Sequence, residues 1–83
     1  MSQLETRMTR IEEVASALNQ DGLDFMAERL RRSHKGVFSS TELALKWRWN
    51  VVQILELTSI SEHTRTKARE LLADLEKDLG YRR

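Results

Sequence analysis

Few residues in this sequence are of a type and spacing that could do acid–base, nucleophilic or metal chemistry, and most of them have a local structural use. The two histidines, His34 and His63, are far apart. One falls in a Ser-His-Lys-Gly loop and the other just inside a helix start. Neither belongs to a His-Glu-x-x-His, EF-hand or paired Glu-x-x-His pattern, the spacings that bring ligands to one side of an ion. Glu12 and Glu13 are adjacent, so on a helix they project to different sides and cannot work as a carboxylate pair. Ser2, Ser39, Ser40, Ser59 and Ser61 stand where helices begin, where a hydroxyl accepts from an unpaired backbone N–H. There is no Gly-x-Ser-x-Gly, and three glycines in the chain build no phosphate cradle. These residues predict a non-enzymatic protein without metal or cofactor.

Two other groups point to binding. Arg29, Arg31, Arg32, His34 and Lys35 form a basic patch in sequence. It could hold phosphates or an acidic partner. It is also what the end of a helix takes, because positive charge complements the helix dipole there. The second group is Trp47-Arg48-Trp49. Two residues apart on a helix means nearly opposite sides, so both indoles cannot enter one core. At 100° per residue, Leu43, Ala44, Trp47, Val51, Ile54, Leu55 and Leu57 share a broad arc, while Leu45, Trp49 and Val52 gather on the far side. Either this helix is central and buried on both faces, or Leu45, Trp49 and Val52 form a protein interface to which Arg48 adds charge. Tryptophan beside arginine is the composition that anchors interfaces.

Helices must position these groups, and the sequence marks four. The first, over about 3–20, starts at a Ser2–Glu5 capping box. It carries Leu4, Met8, Ile11, Ala15 and Leu18 on one stripe with Val14 beside it, and Arg7, Arg10, Glu13 and Gln20 opposite. Asp21-Gly22 ends it. The second, over about 23–33, turns Leu23, Met26, Ala27 and Leu30 inward, with Asp21 as its expected cap and Asp24 in its first turn. The third, over about 40–57, begins at a Ser39–Glu42 capping box with Phe38 as the hydrophobic staple. The fourth, over about 61–79, has Ser59 with Glu62 as its capping pair and Ser61 as the alternative cap. Ala68, Leu71, Leu72, Leu75 and Leu79 line one face, Gly80 stops it, and Tyr81-Arg82-Arg83 is a frayed tail. The first two helices also resemble a helix-turn-helix, with Ala15 and Leu18 at its small and apolar positions, but Gln20 where that motif buries an apolar residue.

With 83 residues the chain is read as a single domain, an all-α, antiparallel bundle of three to four helices. The absence of cysteine excludes disulfides and thiolate metal sites and fits a reducing cytoplasm. The absence of proline permits long helices. A third of the residues are charged, yet the net charge is +1, so no global field drives the chain onto nucleic acid or membrane. The apolar runs are too short for a membrane span, and the first residues do not form a signal peptide.

The segments Gly22-Leu23-Asp24-Phe25-Met26-Ala27-Glu28-Arg29-Leu30, Phe38-Ser39-Ser40-Thr41-Glu42-Leu43, Trp47-Arg48-Trp49 and Ile54-Leu55 together resemble a class of short, uncharacterised helical bacterial proteins. The resemblance covers about half the chain. Some proteins of this kind are similar to immunity partners of bacterial toxins, which implies stoichiometric binding. The chain departs from immunity proteins that neutralise nucleases in lacking their acidic surface. The expected function is a protein-binding module, immunity-like, inhibitor or adaptor, acting on another protein or as a homodimer. The alternative is a small nucleic-acid-binding regulator that uses the first two helices and the basic patch at 29–35.

Overall fold

A computed structural model of the chain describes residues 3–37 and 39–80. The described residues form four helices: α1 (Gln3–Gln20), α2 (Asp24–Arg32), α3 (Ser40–Leu55) and α4 (Glu62–Asp78). The expected all-α bundle is thus observed. The Ser2–Glu5 capping box, the side chain of Leu4, the Phe38 staple and the Tyr81-Arg82-Arg83 tail lie outside what is described.

Apolar spacing fixes which face of each helix turns inward. α1 buries Ile11, Val14, Ala15 and Leu18, α2 buries Ala27 and Leu30, α3 buries Ala44, Trp47, Val51 and Ile54, and α4 buries Ala68, Leu71 and Leu75. Ile60, in the connection before α4, joins the same core. The Trp47 ring is fully enclosed, and its N–H has no acceptor among the described residues. Such an unpaired donor costs about 1–3 kcal/mol, which burial of so large a ring offsets.

Two residues of α1 sit opposite to expectation. Met8, expected in the inward stripe, is exposed, and Arg7, expected to face solvent, is buried. Arg7 lies between α1 and α4, with its guanidinium 3.2 Å from Asp74 and 3.1 Å from Asp78. The two carboxylates are four residues apart on α4 and therefore stack on one face. Periodicity assigns a charged residue to solvent unless a partner awaits it across the fold, and here one does.

Helix ends agree with expectation at Gly22 and Ser39 and differ at others. Gly22, at φ +79°, closes α1 with the Leu23 N–H bonded to the Leu18 carbonyl, a left-handed stop that keeps α1 and α2 separate. Asp21 does not cap α2, whose N-cap is Leu23 without a side-chain bond. Its carboxylate instead reaches α4, accepting from the Ser61 N–H at 2.9 Å and the Thr64 hydroxyl at 2.6 Å. The Thr64 hydroxyl first, then the Ser61 amide, hold the Asp21 carboxyl below its ordinary value of 3.8. α4 is capped by Ser61, the alternative of the two expected caps, whose hydroxyl accepts from the Thr64 N–H at 3.2 Å, and not by Ser59. α3 starts at the expected Ser39, which accepts from the Glu42 N–H. It ends at Leu55, two residues before the expected limit. There the Arg65 guanidinium of α4 donates to the carbonyls of Leu55 and Leu57 at 3.2 and 3.3 Å, satisfying groups that further helix would have paired.

The helices form a ring in the order α2, α1, α4, α3. α1 packs on α2 and on α4, α3 packs on α4, and α2 meets α3 only sparsely. The three close seams each carry an arginine clamp. Arg7 joins α1 to α4, Arg31 joins α2 to α1 through Glu12, and Arg48 joins α3 to α4 through Glu76. No ion pair among the described residues joins α2 to α3. No helix among them is long and apolar enough to cross a membrane.

Candidate functional site

The α2/α3 seam is the open one, and its two walls are the outward stripes of those helices. α2 contributes Phe25, Glu28, Arg29 and Arg32, which recur at steps of three and four and so stand above one another. α3 contributes Lys46, Trp49 and Asn50, again three and four apart. Between them runs a groove of about 490 Å³, open along its length. Its volume is in the range of ligand sites, but its shape is a trough and not an enclosed pocket.

Two aromatic rings define the groove. Phe25 is 77% exposed and Trp49 is 51% exposed. The Arg29 guanidinium lies 4.9 Å from the centre of the Trp49 ring, a cation–π contact that ties α2 to α3. Arg32 pairs with Glu28 one turn back at 3.2 Å. Asn50 is buried, and its amide group donates to the Lys46 carbonyl at 2.9 Å. Ser33, also buried, donates to the Leu30 carbonyl at 2.6 Å. One N–H of Asn50 and the Ser33 O–H are thus bonded to their own helices, and the groove also presents two aromatic rings and the cations of Arg29, Arg32 and Lys46.

The expected interface residues divide. Trp49 lies in the groove and is not a second core contact, which answers the question of whether α3 is enclosed on both sides. Leu45 is 45% exposed on the same helix, one turn before Trp49, and Val52 is half-buried, one turn after it. Neither lines the groove itself. Arg48, expected to offer charge to a partner, turns to α4, where its Nε and Nη2 lie 3.2 and 3.1 Å from a Glu76 oxygen.

The basic patch is also dispersed. Arg29 and Arg32 face the groove. Arg31 turns to α1, with Nε 2.9 Å from Glu12 and Nη1 2.9 Å from the side-chain oxygen of Asn19. These bonds hold the cation on α1, and the one to Glu12 pushes the Arg31 pKa up. The Asn19 amide nitrogen in turn donates to Asp24 at 2.6 Å, fastening the start of α2 that no cap holds. His34 and Lys35 are exposed in the turn after α2, outside the groove.

Phe25 and Lys46 were not among the expected site residues. The signal for Phe25 was available: at 100° per residue it falls opposite the Leu23, Met26, Ala27 and Leu30 face, as Trp49 falls opposite Trp47. Lys46 carried no such signal, since a lone lysine on a helix is ordinary surface. Elsewhere, depressions of about 400 and 480 Å³ run along the α1/α4 face, both including Thr9, Glu13 and Lys67, with His63 at one of them. No group of three or more metal-ligating side chains occurs among the described residues.

The chain matches no protein-family model, no curated protein and no solved structure.

Proposed function

We propose that this chain is a non-catalytic, cytoplasmic binding module that docks another protein in the α2/α3 groove and acts by stoichiometric masking, as an inhibitor, adaptor or immunity-like partner. The observation that carries this reading is that two exposed aromatic rings, Phe25 and Trp49, line one groove at the sparsely packed α2/α3 seam of the bundle. Covering the exposed parts of both would contribute on the order of 3 kcal/mol. The Arg29 contact holds the Trp49 ring in place before any partner arrives, which lowers the entropy lost on binding.

A homodimer through this same groove is the weaker variant. A twofold axis there would bring Arg29, Arg32 and Lys46 of one copy against the same cations of the other. A nucleic-acid partner is weaker still. Arg31 is directed away from the groove, Glu28 stands inside it, and the net charge is +1.

The test is affinity capture from a lysate of the native host, with the wild-type chain and a Phe25→Ala/Trp49→Ala variant as baits. The expected result is one protein recovered in near-equal amount by the wild type, resistant to nuclease and to raised salt, and missing from the variant. Equal recovery by both baits, or recovery of nucleic acid that salt removes, would overturn the proposal.

A further inference from the structure

We infer that the occupant of the groove is a short amphipathic helix of another protein, about two turns long, whose apolar stripe is flanked by carboxylates. This rests on the docking role proposed above and names the chemistry of the partner.

Length comes from the walls. On α2 the groove runs from Phe25 to Arg32, seven steps along the helix, and on α3 from Lys46 to Asn50, four steps. At about 1.5 Å per residue the α2 wall is roughly 10 Å long, the length of two helical turns, and the α3 wall about 6 Å. Conformation comes from the backbone. Both walls are helices whose amides and carbonyls are paired internally, and one N–H of the Asn50 amide and the Ser33 O–H donate to their own helices. The groove therefore has no edge to which an extended strand could add. A guest laid on aromatic surface must satisfy its own backbone, and a helix does so. A third helix across the sparse seam would also give Phe25 and Trp49 the packing partner that α2 and α3 do not supply each other.

Charge selects the flanks. The groove carries three cations, Arg29, Arg32 and Lys46, against one acid, Glu28, so the excess is 3 − 1 = 2 positive charges. Glu28 is already matched by Arg32. Lys46 makes no ion pair among the described residues. Arg29 offers its N–H edges while its face rests on Trp49. Carboxylates beside an apolar stripe fit this rim. Lysines there would be repelled, and a phosphate chain would cross aromatic surface and meet Glu28.

The test is selection against the folded full chain from a displayed library of capped amphipathic helices of about 15 residues, long enough to hold a helical core. The apolar stripe is varied among Leu, Ile, Met, Phe and Trp, and the flanks among Glu, Gln and Lys. The expected outcome is enrichment of Glu-flanked clones whose binding falls roughly tenfold or more in Trp49→Ala and in Phe25→Ala. Lys46→Glu should move the preference away from Glu flanks. Both alanine variants should keep the wild-type helical circular dichroism, since neither ring belongs to the buried core. Enriched clones with Gln or Lys flanks that still depend on Trp49 would overturn the acidic helix and leave the docking role standing. No enrichment at all, or binding indifferent to both alanine variants, would overturn both. A single-stranded thymidine oligonucleotide that binds more tightly than any clone would replace the helix with nucleic acid.

Discussion

Trp47 is 1% exposed and Trp49 is 51% exposed, although one residue separates them. The two should therefore respond oppositely to truncation. Trp47→Ala removes the largest core side chain and should cost about 3–5 kcal/mol. A domain this small has little more than that in total, so the variant should be largely unfolded by circular dichroism. Trp49→Ala loses the Arg29 contact and should shift the urea midpoint by the equivalent of about 1 kcal/mol or less. Similar losses in the two variants would contradict the separation of core and groove. Asp21 makes a second residue-scale case. Its carboxyl is held below its ordinary value of 3.8 by Thr64 and Ser61, so its charged form is favoured by folding. A depressed carboxyl pKa stabilises fully above the unfolded value, and that contribution is lost as pH falls through the folded value. Asp21→Ala should be less stable than the wild type at neutral pH, and the gap should narrow below pH 3.8. Urea unfolding at pH 7 and at acid pH checks this, and a gap independent of pH would remove the charge from the account.

At the scale of the elements, helix starts that look equivalent in sequence are distinguished by what they touch. Ser59 and Ser61 both precede α4, but only Ser61 accepts from the Thr64 N–H. Ser61→Ala should cost about 1 kcal/mol, and Ser59→Ala should stay within about 0.5 kcal/mol. Chemical denaturation of the two variants decides it. The helical segments and the all-α class were legible because three-and-four spacing of apolar residues, glycine stops and serine caps are local signals, whereas the order in which the helices pack was not. Trp49 was legible for the same reason, whereas its neighbours on the α3 wall, Lys46 and Asn50, carried no such signal. The destinations of Arg7, Asp21, Arg31 and Arg48 were not. Each is decided by a carboxylate, hydroxyl or amide from another helix, and single-helix periodicity carries no information about that neighbour. Arg48 shows the consequence: beside two tryptophans it reads as interface charge, yet Glu76 on α4 takes it. The groove itself, a gap between two helices, could be read only once their packing was known.

At the scale of the whole molecule, the bundle is a ring with three clamped seams and one open one. Arg7→Met keeps the buried stem and removes the bonds to Asp74 and Asp78. The two carboxylates are 34% and 40% exposed, which screens the loss. The destabilisation should be about 2 kcal/mol, below that of a fully buried pair. How this loss divides between rates follows from chain connectivity. The Arg7–Asp74 bond joins residues 67 apart, whereas the Arg31–Glu12 clamp joins residues 19 apart. Loop-closure entropy makes the longer join dearer by about 1 kcal/mol, so α1 should meet α4 after the shorter-range pairs have formed. Arg7→Met should then speed unfolding about thirtyfold and leave the refolding rate nearly unchanged in stopped-flow experiments. Slowed refolding would instead put the first and last helices in the folding nucleus. With the expected result, Arg7 acts as the latch of the ring: it sets how long the folded molecule lasts, and has little part in how quickly it forms.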